Sequence, residues 1–449
     1  MTSIVWLRRD LRLADNPALS AAAKLGPVLP VYILESDLPR PLGGASLWWL
    51  HYSLAALGRE LARLGLPLLL LKGSAAELLP KLAAQTQAQR VLCNDCHHPT
   101  DGAVKRALAP LPLETVFDHL LYEPGAVRTQ GGQPFKVFTP FWRAVIAQPE
   151  PPRPLPVPSL SGVQGIPGDA LEDWHLLPTT PDWAGGLRES WTPGEAGAQE
   201  RLDDFLDGGL NGYSRDRDFP AKPATSRLSP HLAFGEISPR QIWHAARLAG
   251  AHPAEGFLRE LGWREFCHHM LRLFPDMATR PVKPEFARFP WREDDEQWLA
   301  FIQGRTGYPI VDAGLRELWH TGFMHNRVRM IVASFLVKDL LIPWQKGEDW
   351  FWDTLVDADP ANNPCGWQWV AGCGFDAAPY FRIFNPVLQS QKFDPDGRYI
   401  RRWCPELARL PDKHLHAPWT APMFVRDYPA PVVDHDGARQ RALAALKSI

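Results

Sequence analysis

The sequence predicts two domains, an α/β domain followed by an all-α domain, and three observations support this prediction. The 449 residues exceed what one ordinary hydrophobic core accommodates, so two domains are expected. The first third alternates short apolar runs with amphipathic segments, which is typical of a parallel sheet covered on both faces. Beyond about residue 195, helical periodicity dominates. We place the α/β domain at 1–130, an interdomain linker at 131–195 and the helical domain at 196–449.

The α/β domain is predicted to contain a doubly wound, five-stranded parallel sheet. Its strands are predicted at 4–7, 28–34, 66–71, 90–93 and 113–117, with helices at 45–64, 74–85 and 101–108. The first helix begins where Asp15 or Asn16 can cap a turn that starts with Pro17. No G-x-G-x-x-G motif follows the first strand, which excludes an ordinary dinucleotide-binding fold.

A stretch rich in proline and glycine, from about 147 to 198, predicts a linker that lies along the surface of the protein. The segments that follow it have helical periodicity. They are predicted at 200–205, 238–249, 254–274, 296–303, 311–322, 326–341 and 347–355. The C-terminal domain is therefore expected to be all-α.

Composition limits the class of protein. A hydrophobic fraction of 45% and a charged fraction of 22% indicate a globular chain. The formal net charge of −2 means that any nucleic-acid binding must depend on a local basic patch. Six irregularly spaced cysteines do not make a secreted disulfide framework. Without a signal-like start or a long apolar span, we expect a cytoplasmic monomer that makes no membrane contact.

The stretch 357–369 reads D-A-D-P-A-N-N-P-C-G-W-Q-W and is dense in acids, amides and tryptophans. Pro360, Pro364 and Gly366 are expected to break the backbone within it. One interpretation is a surface turn with an aromatic anchor. The other is a cofactor pocket in which carboxylates and an amide face a ligand ring.

Several other motifs allow both a structural and a functional interpretation. The hydroxyl- and arginine-rich segments 213–220 and 225–230 suit either phosphate binding or helix capping. Glu260 and Arg264, one helical turn apart, suit either a site or a surface ion pair. The run 93–98, C-N-D-C-H-H, could bind zinc, but a loop at the end of a strand is favoured, and such loops line ligand crevices.

The order and spacing of these motifs resemble the photolyase/cryptochrome flavoprotein family over nearly the whole chain. The segments 6–12, 381–386 and 401–403 add to the resemblance. It implies an N-terminal antenna domain, a long connecting segment and a helical domain that holds FAD in a bent, U-shaped form. It also implies a second, light-harvesting chromophore, with methenyltetrahydrofolate as the first choice and a deazaflavin as the alternative.

The resemblance also implies roles for particular residues, and no metal ligands. The FAD phosphate and ribityl site would comprise Tyr213, Thr225, Ser226, Arg227, Leu228 and Ser229. The flavin would be surrounded by Asn326, Arg329, Asp357, Ala358, Asp359 and Asn363, with Arg329 paired to Asp357 and Asn363 facing flavin N5. Electrons would pass along Trp367, Trp344 and Trp291. The damaged base pair and the DNA backbone would contact Glu260, Trp263, Arg264, Met330, Trp369, Arg217, Arg327 and Arg382.

Within the family, the sequence resembles an enzyme that repairs cyclobutane pyrimidine dimers in damaged DNA. Such enzymes flip the dimer out of the duplex, and an electron from excited, reduced FAD splits it. The alternative is a cryptochrome-type photoreceptor that binds FAD without repair. The dimer contacts are present, the chain ends soon after the family core at Ile449, and Asn363 stands where plant-type cryptochromes usually carry Asp. Early features such as 46–50 resemble the class III branch, whereas Phe323 departs from a common tryptophan.

Overall fold

The computed structural model describes residues 2–96, 98–377, 381–424 and 427–449. The chain divides into two compact units. The first comprises Met1–Val127, Val145–Asp207 and Ser226–Leu261, and the second comprises Arg128–Ala144, Gly208–Thr225 and Gly262–Ile449. The first unit contains the sheet, whereas the regular elements of the second are helices.

The predicted five-stranded parallel sheet is present. Its strands are β1 (Ser3–Leu7), β2 (Val28–Glu35), β3 (Leu69–Gly73), β4 (Arg90–Asp95) and β5 (Leu113–Phe117). They lie in the order β3-β2-β1-β4-β5, and every neighbouring pair is parallel. β1 lies at the centre and is buried along its whole length, which explains its uninterrupted apolar sequence.

The α-helices follow in chain order. The first eleven are α1 (Pro17–Ala23), α2 (Gly44–Arg63), α3 (Ala75–Thr86), α4 (Asp101–Leu108), α5 (Phe138–Ile146), α6 (Gly185–Ser190), α7 (Glu195–Asp204), α8 (Tyr213–Asp216), α9 (Ser229–Phe234), α10 (Pro239–Ala249) and α11 (Ala251–Leu273). The others are α12 (Asp295–Ile302), α13 (Pro309–Thr321), α14 (Asn326–Ser334), α15 (Trp344–Thr354), α16 (Asn362–Ala371), α17 (Pro386–Phe393), α18 (Arg398–Trp403), α19 (Asp412–Leu415) and α20 (His435–Lys447). A π-helix, Phe335–Asp339, continues α14.

Local capping chemistry accounts for several helix starts. The Asn16 side chain accepts a hydrogen bond from Leu19 N at 3.0 Å, and Pro17 occupies the first turn of α1 as predicted. Ser238 and Gln241 form a reciprocal capping box at α10. Ser74 occupies the N-cap position of α3, but its hydroxyl donates to Asp37 Oδ2 at 2.7 Å and accepts no hydrogen bond from the helix.

Residues 145–195 of the predicted linker belong to the first unit, and their backbone N–H groups donate hydrogen bonds to other parts of it. Leu155 N donates to Asp15 Oδ1 at 2.9 Å, and Asp169 N donates to Leu70 O at 2.8 Å. An isolated bridge joins Val28 to Gly162. These contacts satisfy backbone groups of a segment that has little regular structure of its own.

The predicted break in the backbone at Pro364 and Gly366 was wrong, because α16 runs through both residues. Pro364 is the third residue of the helix, where its missing N–H would have had no partner within the helix. Gly372, with a φ of 92°, ends the helix in the left-handed region instead. The chemistry-rich stretch is therefore a rigid helix that follows a short loop.

Across the described part of the chain, the helices are all too short or too polar to span a bilayer.

Candidate functional site

Arg329 and Asp357 form the ion pair that the resemblance implies. Arg329 Nη2 donates to both carboxylate oxygens of Asp357, at 3.0 and 2.8 Å, and its Nε donates to Met324 O at 2.7 Å. The guanidinium also lies 5.2 Å from the centroid of the Phe323 ring. A ring at position 323 therefore still packs on the arginine where the family commonly has tryptophan. The pair fixes α14 to the loop that precedes α16.

Asp359 organises the start of α16. Its Oδ1 accepts hydrogen bonds from Ala361 N, Asn362 N and Asn362 Nδ2 at 2.7–2.9 Å. Its Oδ2 lies 3.3 Å from Nε2 of the buried His268 on α11. Because the same carboxyl holds the helix start and faces a second helix, its position is defined from two sides.

Asn363 is held by a carboxylate that sequence reasoning missed. Its Nδ2 donates to Glu348 Oε1 at 2.8 Å and to Glu348 O at 3.0 Å. Glu348 lies on α15 and is only 1% exposed. The amide is therefore oriented with its nitrogen towards α15, which leaves its carbonyl oxygen as the group available to a ligand.

Within the second unit, the donor set fits the ring of a flavin. The cationic, anionic and amide groups of Arg329, Asp357, Asp359 and Asn363 come from α14, α16 and the loop between α15 and α16. A flavin edge alternates N–H donors with carbonyl acceptors, which such a set can match. Asn326 is the first residue of α14 and is exposed, so its amide also remains accessible.

The residues assigned to the FAD phosphates differ in burial and in the groups that they contact. Tyr213 is 6% exposed and carries the Arg217 guanidinium 5.1 Å from its ring centroid. Arg227 adopts a φ of 52°, rare for a residue with a side chain, and stacks 4.3 Å from the Trp191 ring centroid. Ser229 begins α9, and Leu228 N donates to Ser226 Oγ at 3.4 Å. Thr225 is half-buried just before this turn.

The three tryptophans of the implied chain lie in the second unit and differ in exposure. Trp367 and Trp344 are 2% and 1% exposed, whereas Trp291 is half-buried. The backbone N–H that follows Trp291 donates to Leu341 O at 2.8 Å, three residues before Trp344. A Cβ at Gly347 would lie 2.2 Å from Trp367 Cη2, so α15 contacts that indole directly. This arrangement runs from the core of the unit towards its surface.

Trp263 on α11 is stacked against Phe138, a residue that the sequence analysis did not identify. The Phe138 ring, fully buried, stacks on it with centroids 3.8 Å apart and planes 10° apart. Phe266 meets Trp263 edge-on at 5.8 Å. Glu260 precedes Trp263 by three residues on the same helix and is half-buried. Two aromatic rings therefore contact the indole, and Phe138 is stacked on it.

The remaining residues implied to contact the dimer or the DNA differ in their surroundings. Trp369 is half-buried, and its Nε1 donates to Asp376 O at 3.1 Å. Arg264 is buried, and its Nη1 lies 4.0 Å from Glu265 Oε1. Met330 is half-buried on α14, with its sulfur 3.7 Å from Arg327 Nη1.

Arg327 and Arg382, which the resemblance places on the DNA backbone, differ in exposure, and Arg327 is half-buried. Arg327 Nη2 donates to Asp218 at 2.9 Å, and its guanidinium lies 4.4 Å from the Phe393 ring centroid. Arg382 is exposed. The Asp218 carboxylate compensates part of the charge of Arg327 within the protein.

Of Phe138, Glu348 and His268, which the sequence analysis did not identify, only Phe138 lies in a recognisable sequence pattern. Phe138, Phe141, Trp142 and Val145 recur at spacings of three, four and seven residues, which is the pattern of one helical face and marks α5 inside the predicted linker. Glu348 and His268 gave no such signal, because their partners are 15 and 91 residues away in the chain.

The carboxyl edge of the sheet in the first unit gathers a second polar cluster. His98 Nε2 lies 3.2 Å from Glu35 Oε2, and Thr100 Oγ1 donates to Glu35 Oε1 at 2.8 Å. Burial raises the pKa of Glu35 to about 7 and lowers the pKa of His98 to about 2. The buried Arg8 pairs with Asp101 nearby. His97, part of the C-x-x-C-H-H motif, lies outside the described residues.

Two family profiles match the chain. One, described as DNA photolyase, matches residues 3–159, and the other, described as FAD binding domain of DNA photolyase, matches residues 257–448. A deoxyribodipyrimidine photo-lyase from Agrobacterium fabrum is 51% identical over 99% of this chain and 98% of that protein. Cryptochrome-1 of Arabidopsis thaliana is 37% identical over 100% of this chain and 70% of that protein.

Two solved photolyase structures are also similar to this chain. A bacterial class III photolyase from Agrobacterium tumefaciens superposes with a TM-score of 0.96 at 51% identity, covering 100% of this chain and 97% of that one. An archaeal photolyase from Sulfolobus tokodaii, solved with two FAD molecules, gives a TM-score of 0.86 at 28% identity and covers 100% of both chains.

Proposed function

The chain belongs to the DNA photolyase family, and we propose here which of its residues carry out the reaction. It is a deoxyribodipyrimidine photo-lyase that uses light to repair cyclobutane pyrimidine dimers in DNA. Its C-terminal helical region is the FAD-binding domain. The observation that carries this function is the 51% identity, over nearly the full length of both chains, to a photolyase and to a class III photolyase structure.

Bound FAD supplies the electron that splits the dimer, and the residues around the flavin hold and orient it. We assign the ring to Asn326, Arg329, Asp357, Asp359 and Asn363, and the phosphates and ribityl chain to Tyr213 and the segment 225–229. Ala358 lies between the two aspartates and contributes backbone. The Arg329–Asp357 pair supports this assignment, because a guanidinium held by a carboxylate offers its remaining N–H donors in a fixed direction.

Asn363 favours repair over a photoreceptor function. Its amide nitrogen is already satisfied by the Glu348 carboxylate at 2.8 Å. An aspartate at this position would meet Glu348 with a second carboxylate, and two carboxylates this close cannot both ionise. The neutral asparagine avoids that conflict and adds no negative charge beside an anionic, reduced flavin.

We assign the flipped dimer to a pocket walled by Trp263 and Trp369, with Met330 as an apolar contact and Glu260 as the hydrogen-bonding group. Aromatic walls suit an extruded pyrimidine dimer, because stacking replaces the contacts that its two bases had in the duplex. Arg217, Arg327 and Arg382 would contact the DNA around this pocket, where phosphate contacts give salt-dependent affinity without reading the sequence. Arg264 is buried, so we assign it no phosphate contact. The stacking of Phe138 on Trp263 supports the assignment, because it holds the plane of the indole in a fixed orientation.

Replacing Phe138 with leucine is expected to weaken binding of dimer-containing DNA by roughly twofold to tenfold, the equivalent of one aromatic pair. Leucine keeps most of the buried volume but cannot hold the indole flat. The measurement is a binding titration with a duplex that carries one thymine dimer.

The matched control is Phe141→Leu. Phe141 lies on the same helix but packs on Phe266 and His269, so its replacement should leave dimer affinity near the wild-type value. Equal affinity losses in the two variants would mean that Phe138 acts only through the stability of α5.

We assign the second chromophore to the carboxyl edge of the sheet, beside Glu35, His98 and Arg8. In open parallel sheets, ligands bind outside the carboxyl ends of the strands, near the point where the strand order reverses. Here that point lies between β1 and β4. Methenyltetrahydrofolate is the first choice and a deazaflavin the second. A flavin is a third, because the Sulfolobus tokodaii relative was solved with two FAD molecules.

An absorption spectrum of the purified protein should contain a chromophore band in addition to FAD, and Glu35→Ala should remove that band without changing FAD content. The reason is that Glu35 is the acceptor at the centre of the cluster on this edge. A second band that survives in the variant would place the antenna elsewhere.

A further inference from the structure

Lys338 is a buried lysine with an unusual pair of contacts. It belongs to the π-helix Phe335–Asp339 and is 1% exposed. Its Nζ lies 3.3 Å from the centroid of the Phe381 ring and donates to Arg382 O at 3.3 Å. Single-turn π-helices are rare, and those that occur are often found at functional sites.

The segment 381–384 is held at several further points. Phe384 N donates to Ser334 Oγ at 3.2 Å, one residue before the π-helix begins. Phe381 packs on Phe289, with ring centroids 6.1 Å apart. The backbone of this segment is thus held by Ser334 at the end of α14 and by Lys338 in the π-helix, and Arg382 is exposed.

Neither of the nearby acidic groups, Asp339 and Cys373, is the direct partner of the Lys338 amino group. Burial lowers the pKa of Lys338 to about 7, against the opposing effects of Cys373 and Asp339. Asp339 already accepts a hydrogen bond from His435, and burial raises the pKa of Cys373 to about 12, so Cys373 is a neutral thiol. The Phe381 ring and the Arg382 carbonyl are therefore the groups that directly receive the ammonium.

We propose that Lys338 is a positioning residue for DNA binding: it holds the backbone of 381–384 in the conformation that presents Arg382 to a DNA phosphate. The inference rests on the proposed contact between Arg382 and DNA. It adds that the contact depends on a buried lysine, which does not itself reach the nucleic acid.

The test compares Lys338→Met, Arg382→Ala and the double variant, each as the FAD-loaded protein. Binding of a duplex with one thymine dimer is titrated over a series of salt concentrations. Arg382→Ala should weaken binding by roughly twofold to tenfold and reduce the salt slope by about 0.9, the value of one phosphate contact. Lys338→Met should reproduce most of both effects, and the double variant should bind no more weakly than Arg382→Ala.

Two controls separate positioning from a general loss of structure. Lys346→Met removes another lysine that lies over an aromatic ring, 4.8 Å from the Trp298 centroid, and should leave affinity and slope unchanged. Phe381→Leu removes the ring that receives the ammonium without emptying the lysine site. It should behave like Lys338→Met, which keeps the test decisive if the lysine variant folds poorly. FAD content should be the same in all variants that fold.

The outcomes distinguish the two proposals. If Arg382→Ala leaves affinity and salt slope unchanged, the assigned DNA contact fails and the inference fails with it. If Arg382→Ala weakens binding but Lys338→Met and Phe381→Leu do not, only the inference about Lys338 is overturned. Additive losses in the double variant would also overturn it, because Lys338 would then act independently of Arg382.

Discussion

Replacing Trp344 with phenylalanine should slow light-driven reduction of the bound, oxidised flavin by about a hundredfold or more, an increase of roughly 2.7 kcal/mol in the effective barrier. Phenylalanine is much harder to oxidise than an indole, so an electron could no longer be relayed from Trp291 to Trp367. Trp344 is 1% exposed and lies on α15, which contacts the Trp367 ring at Gly347. The measurement is the rate of flavin bleaching under blue light with an external reductant.

The same variant should retain dimer repair once its flavin has been reduced chemically, because the tryptophan chain supplies electrons before repair and not during it. Trp352→Phe is the matched control: Trp352 lies on the same helix, is 8% exposed and belongs to no step of the implied chain. Photoreduction that continues at the wild-type rate in Trp344→Phe would contradict the proposed route.

The fold could largely be predicted from the sequence where local patterns are self-contained. The strands of the central sheet are apolar runs between turn signals, and Asn16 and Pro17 carry the start of α1 in their own chemistry. The prediction failed for Pro364, because the effect of a proline on a helix depends on its position within the helix. Pro364 was interpreted as a break, but a proline in the first turn costs a helix no hydrogen bond.

The candidate site was predicted less completely, for a physical reason. The resemblance identified Asp359, Asn363 and Trp263, but it did not identify the groups that hold them. Those groups lie on other helices, and their pairing follows from how α11, α15 and α5 pack rather than from any short motif. Orientation of a site by distant partners is decided by tertiary structure, which single-sequence patterns do not encode.

Replacing Glu260 with alanine should lower the number of dimers repaired per absorbed photon by roughly twofold to tenfold, the effect of losing one hydrogen bond to the reacting group. Glu260 lies three residues before Trp263 on α11, so both side chains can be directed to neighbouring positions. FAD content should not change. A variant with wild-type repair yield would remove Glu260 from the catalytic residues while leaving the other assignments intact.

The most direct test of the central claim is repair by the wild-type protein itself. Purified protein, reduced chemically and mixed with DNA that contains thymine dimers, is illuminated with blue or near-ultraviolet light, and the remaining dimers are counted against a dark sample. We predict that dimers disappear only in the illuminated sample, and that Glu260→Ala repairs fewer per photon. A wild-type protein that binds FAD and photoreduces it, yet leaves the dimers intact under light, would contradict the account and favour a photoreceptor.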